Sequence, residues 1–293
     1  MNNPRAMRWG LFMSRHVSEH AAHRLAWLVA GVACRAKPAE YRIARANLLQ
    51  VLGSRVEEEM LSRTIRRAFS MALRSYYDLY RALRLPRQEL IASVELPERA
   101  QAILQGVQST GRGMLLVFPH LGNFDLGGQV LGTILPGMQL LTLPNPSPSL
   151  QFANDLRRKG GVEVTPLSSV ALRKALERLR KGGVVALAAD RPVSELDDPV
   201  PFFGRPARIP SGHVRLALKT DAQIVVVYCV VPPGAQKNTL YLEPPLDVIR
   251  TGVPGEDVWV NMRQVLGVLE SVIRRWLDQW RMFVPVWPES LHS

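Results

Sequence analysis

The residues best suited to chemistry are His120 and Asp125, in the segment Phe118-Pro-His-Leu-Gly-Asn-Phe-Asp125. A carboxylate that accepts from one ring nitrogen fixes an imidazole's tautomer and leaves the other nitrogen as a base. Such a base can take a proton from a hydroxyl as its oxygen attacks a carbonyl carbon. No serine nucleophile elbow is present, so direct transfer is expected rather than a covalent acyl-enzyme. The same pair acting on water would make a thioesterase or lipid hydrolase.

The elements around the pair are those that could position it. Residues 113–118 (GMLLVF) read as a buried strand, Pro119 stiffens its exit, and a helix opens from about Asn123. That places His120 at the C-terminal edge of a strand, where α/β proteins build their sites, and lets Asp125 fold back towards the imidazole. Further strands are expected at 138–143, 184–189, 223–231 and 239–243. Helices are expected at 169–181 and 258–281, with a Pro/Ser-rich loop at 144–149. Before residue 90 the pattern is helical throughout: 7–36, 39–52 and 56–83, punctuated by Pro38 and Pro86. The reading is an α/β fold, a mixed central sheet flanked by helices, with residues 1–90 as a helical N-terminal region and 91–293 as the catalytic domain.

Composition narrows the partners. Among 293 residues, 37 Lys and Arg against 25 Asp and Glu give +12, while 47% hydrophobic residues supply a core. Such a charge suits anionic lipid, an acidic carrier or nucleic acid. The arginines are spread over amphipathic helices with no helix-turn-helix, RNA-binding or zinc-finger pattern, so no nucleic acid is expected, and a basic binding protein is the rival class. The helix at 7–36, with Trp9, Leu11, Phe12, Leu25, Trp27 and Leu28 among arginines, suits a membrane interface; its apolar run, 25–34, is too short to span a bilayer. Cys34 and Cys229 follow no metal or redox spacing and fit buried thiols in a reducing compartment. His16, His20 and His23 share a helix face, and a solvated face is the expectation rather than a metal site. No phosphate-binding glycine loop is present.

Several blocks in order resemble the lysophospholipid acyltransferase superfamily, in the branch of the lipid A late acyltransferases and the phosphatidylinositol mannoside acyltransferases. PHLGNFD looks like the family's H-x4-D motif. Leu179-Arg-Lys-Gly-Gly-Val-Val-Ala-Leu-Ala-Ala-Asp190-Arg191 looks like its strand ending in an acidic residue, and Pro199 to Gly212 looks like its PFFG-x-PA block. Tyr41-Arg-x-Ala-x-Ala-Asn47 and Gln279-Trp280 also resemble family features. The resemblance implies acyl transfer from acyl-CoA or acyl carrier protein to a lipid or glycolipid hydroxyl, with no metal or other cofactor. His120 would be the base, Asp125 its orienting partner, and Arg157 or Arg158 the cation for the oxyanion. Asn123, Asp190, Arg191, Phe202, Phe203 and Gly204 would contact substrate. The expected location is peripheral, on the cytoplasmic face of the inner membrane.

Overall fold

The computed structural model of the chain describes residues 12–53 and 55–288. Trp9 and Leu11, part of the expected N-terminal helix, lie outside the described residues. Helicity at 12–16 stops before Ser18, whose hydroxyl accepts from the Ala21 amide and starts a separate helix, α1 (Glu19–Ala36). A side-chain oxygen there satisfies an otherwise orphan helix donor. Next come α2 (Ala39–Leu52), α3 (Glu58–Ala82), α4 (Arg87–Ala92) and α5 (Glu98–Ser109).

The sheet is built from β1 (Val94–Glu95), β2 (Met114–Phe118), β3 (Gln139–Thr142), β4 (Glu163–Pro166), β5 (Val184–Ala188), β8 (Gln223–Val230) and β9 (Asn238–Leu242). Its order is β1-β9-β8-β2-β5-β3-β4. It is mixed: β8 pairs antiparallel with β9, while β2 runs parallel to both β5 and β8. The central strands are buried on both faces, and all eight residues of β8 are inaccessible, which accounts for its unbroken apolar run. Alternation along β2 sends Leu115 and Val117 to one core and Met114 and Leu116 to the other.

Helices cover both faces. Leu61 and Ile65 of α3 share the first core with α8 (Ser169–Arg180), α9 (Gly212–Thr220) and α10 (Pro254–Arg275); α5 and α6 (Phe124–Ile134) cover the second. The remaining helix, α7 (Pro148–Lys159), begins within the last two residues of the stretch expected as loop, 144–149; Ser147 caps it and proline occupies its first turn. The expected helix to residue 281 ends at Arg275, followed by a single 3-10 turn, Leu277–Gln279.

The PFFG block forms a small hairpin, β6 (Val200–Phe202) with β7 (Arg205–Ala207). It closes the first core from the side: Phe202 stacks on Trp287, and the Phe203 amide donates to Glu270 Oε1.

The α1 helix packs on α3 through small residues, Ala22, Ala26, Ala30 and Gly31. Its large side chains point outward, with Leu28 at 62% and Val32 at 64% exposure.

Candidate active site

The strand register sets the centre of the site. Phe118 of β2 is paired with Ala188 of β5, and two residues beyond each lie His120 and Asp190. The His120 Nδ1–H donates to Asp190 Oδ1 at 2.6 Å, and the His120 amide donates to Oδ2 at 2.7 Å. Trp280 adds a third donor, Nε1–H to Oδ2 at 3.0 Å. The carboxylate is fully buried. Burial alone would raise its pKa, but the His120 ring and these hydrogen bonds outweigh it and hold Asp190 below the ordinary aspartate value. An ionised carboxylate only accepts, so the imidazole carries its proton on Nδ1 and keeps Nε2 as the lone-pair nitrogen.

The expected pairing of Asp125 with the imidazole is therefore corrected: the hydrogen-bonded partner of the ring is Asp190. Asp125 sits in the first turn of α6 and turns to the other side. Its Oδ1 accepts from Arg157 Nε at 2.9 Å and Nη2 at 2.6 Å, while Arg281 Nη2 lies 3.7 Å from its Oδ2. Arg281 also lies with its guanidinium carbon 4.2 Å from the Phe124 ring centroid. Its backbone amide donates to the His120 carbonyl at 2.8 Å, and no described residue hydrogen-bonds its Nη1. Burial lowers the pKa of this guanidinium, opposed by Asp125.

The loop that carries His120 is clamped by backbone bonds. The Gly122 amide donates to Gln279 O and the Asn123 amide to Cys229 O. Gly122 has φ +57°, and a Cβ there would fall 2.1 Å from the Cys229 carbonyl oxygen, so glycine is required. Gln279 in turn brackets Val231 with both side-chain atoms. Asn47 holds the tail by donating to Met282 O and Val284 O and accepting from Val286 N. The two outlying sequence blocks around Asn47 and Gln279-Trp280 thus converge on the segment that delivers Arg281.

Beside the pair lies a cavity of about 490 Å³, the size of a small-molecule site. His120, Asp125, Arg157, Arg191 and Arg281 line its polar end, and its interior is largely aliphatic, including Leu116, Leu131, Met138 and Val162. Burial lowers the Arg191 pKa, opposed by neighbouring Asp190.

Other expected site residues lie elsewhere. Arg158 points away, donating to Val164 O and Asp155, so of the two candidate arginines only Arg157 borders the cavity. Asn123 is a buried cap: its Oδ1 accepts from the Leu126 amide and its Nδ2 donates to Asp78 at 2.6 Å. Phe202, Phe203 and Gly204 belong to the hairpin rather than to the cavity wall; from that block Pro210 and Gly212 reach it. Arg281 was assigned to a helix by its sequence, and the Gln279-Trp280 pair beside it was the only signal that could have found it. The three N-terminal histidines do not converge: His16 packs on Phe12, whereas His23 Nε2 lies 3.3 Å from Asp78. Both cysteines are buried and unbridged, and burial raises each thiol.

A protein-family model described as bacterial lipid A biosynthesis acyltransferase matches residues 6–289. Among curated proteins, the chain is 35% identical to a phosphatidylinositol mannoside acyltransferase of Mycobacterium tuberculosis over 133 residues, 43% of this chain and 41% of that protein. It is 27% identical to a phosphatidylinositol mannoside acyltransferase of Mycolicibacterium smegmatis over 229 residues, 75% of this chain and 72% of that protein. The M. tuberculosis match thus covers about two-fifths of the relative's length.

Proposed function

The chain belongs to the bacterial lipid A biosynthesis acyltransferase family, and from that premise we propose that it moves a fatty acyl group from a thioester to a hydroxyl of a membrane glycolipid. The donor is acyl-CoA or acyl carrier protein, and the acceptor is of the phosphatidylinositol mannoside or lipid A type. The observation that carries this reading is a histidine–carboxylate pair at the polar mouth of a cavity whose interior is aliphatic.

His120 Nε2 takes the acceptor's hydroxyl proton as the oxygen forms its bond to the thioester carbon. Asp190, held by Trp280, fixes the tautomer and stabilises the imidazolium. Negative charge then grows on the carbonyl oxygen. Arg157 and Arg281 face this end of the cavity and supply the positive field, with Asp125 holding both guanidinium groups in place. As the tetrahedral intermediate collapses, the carbon–sulfur bond breaks and the thiolate takes the proton back from Nε2. Arg191 meets polar groups of the acceptor at the same mouth. The acyl chain lies along the aliphatic interior.

The outward face of α1 is the membrane contact. Leu25, Leu28, Val29 and Val32 are exposed together, and Arg66 lies over the Trp27 ring at 4.0 Å. A helix that buries alanines and exposes leucine and valine gains nothing from water, whereas apolar bulk beside arginines suits an anionic bilayer surface. Among the described residues no helix is long and apolar enough to cross a membrane. The proposed location is peripheral, on the cytoplasmic face of the inner membrane.

The test is mass spectrometry of lipid extract incubated with palmitoyl-CoA, or palmitoyl carrier protein, and purified protein beside His120→Ala. A new acylated lipid made by the wild type alone is the expected result. Free fatty acid without an acylated lipid would replace transfer by hydrolysis, and no turnover of either thioester would sink the reading.

A further inference from the structure

Among the polar groups on the cavity wall that the reaction above does not use, Gln129 is buried and has no partner for its Nε2 among the described residues. Gln129 follows Asp125 by four residues in α6, one turn and about 6 Å further from the helix N-terminus. Its side chain is 1% exposed and borders the cavity. No described residue hydrogen-bonds its Nε2. Gly160 makes the space for this amide: an added Cβ there would lie 1.6 Å from Gln129 Oε1 and 2.7 Å from Nε2. With φ −79°, Gly160 has an ordinary backbone, so what the glycine excludes is a side chain in the amide's place. A buried amide without a partner is unfavourable, and a leucine or methionine would fill the same volume without that cost. The cavity is the space from which a partner can come.

We propose that Gln129 reads an oxygen on the acyl chain, making the site selective for acyl groups hydroxylated in the part of the chain nearer the carbonyl. A hydroxyl matches both ends of the amide, accepting from Nε2–H and donating to Oε1. This rests on the reading that the cavity holds the donor's acyl chain. A plain chain would leave the amide dry and unpaired, and a site built to bond a hydroxyl discriminates against an analogue that lacks it.

The experiment offers purified full-length protein hexadecanoyl-CoA in competition with a positional set of hydroxyhexadecanoyl-CoA thioesters, with lipid extract as acceptor and product ratios read by mass spectrometry. The expected result is a preference of roughly five- to tenfold for one or two adjacent hydroxyl positions over the plain chain, the value of one net hydrogen bond. Gln129→Met should bring that ratio to about one, and Gly160→Ala, which displaces the amide, should do the same. If both variants fail to fold, the positional dependence in the wild type still decides. Transfer of the plain chain with equal turnover across the whole set overturns the proposal alone, the amide then being served by water. Transfer of no chain at all overturns the acyltransferase reading and this inference with it.

Discussion

Replacing Asp190 by asparagine changes one atom and one charge at the point where three donors meet. The amide oxygen can stand where Oδ2 stands and keep the His120 amide and the Trp280 indole bonds at 2.7 and 3.0 Å. The amide nitrogen then occupies the Oδ1 position, 2.6 Å from His120 Nδ1. Two donors cannot face each other at that distance, so the ring shifts its proton to Nε2 and Nδ1 becomes the acceptor. The nitrogen that must take the hydroxyl proton is now occupied, and the imidazolium has lost its counter-charge. The expected loss in kcat is about 10⁴-fold, or about 5.5 kcal/mol of transition-state stabilisation, as for the equivalent change in Ser-His-Asp hydrolases. The two bonds to the Oδ2 position survive and the third is reversed, so the melting temperature should move little and donor KM should stay near wild type. Initial rates of thioester-dependent lipid acylation, with Asp125→Asn alongside, make the assay. An Asp190→Asn protein within about tenfold of wild type, beside an Asp125→Asn protein that is nearly inactive, would refute the pairing argued from the strand register.

Three further outcomes follow from other parts of the molecule. Arg281→Lys should lower kcat by roughly 10²-fold, the scale of one lost oxyanion donor, whereas Arg158→Ala should leave it within about twofold; steady-state kinetics of both separates the two arginines. Leu28→Glu with Val32→Glu should abolish flotation with anionic vesicles while leaving the melting temperature within a few degrees, since both side chains are more than half exposed; retained flotation would remove α1 from the membrane contact. Burial pushes the His213 pKa down to about 4, against about 6.5 in an unfolded chain. The folded state therefore binds fewer protons, and stability falls as pH drops from about 6.5 towards 4, by about 3 kcal/mol from this residue. Thermal melts from pH 7 to pH 4 should show that loss, and His213→Phe should flatten it.

Much of the scaffold was legible because its strands are buried on both faces. Runs such as Gln223–Val230 have no alternation to misread, and turn residues bound them closely. The position of His120 at a strand's C-terminal edge was legible for the same reason. Its partner was not. H-x4-D is a local spacing, and it invites a local pair; the register that brings Asp190 opposite His120 depends on β2 and β5 being neighbours, which neither strand's residues reveal. Asp190 was legible as a strand-end acid, but as a substrate contact rather than as the buried partner of the imidazole. Arg281 was hidden because the amphipathic pattern of α10 runs on past Arg275, while the chain itself breaks at a 3-10 turn and turns back to the His120 loop. The start of α7 was lost to its prolines and serines, although Ser147 before Pro148 is a helix-start signal. The inward face of α1 had no signal in its large apolar residues, which suit an interface and stay exposed; it is the alanines that make the contact with α3.

The bond from the Arg281 amide to the His120 carbonyl also bears on how the protein comes into being. It closes a loop of about 160 residues, and bringing the ends of so long a stretch together costs chain entropy. A ribosome delivers the α1–α3 helices before Trp280 and Arg281, so Asp190 waits for its indole donor until the strands and helices between them have been made. A nascent chain that has not reached those residues has no indole donor for Asp190 and no Arg281 amide for the His120 carbonyl. The carboxylate that faces the His120 ring is thus fully hydrogen-bonded only once synthesis has passed Trp280.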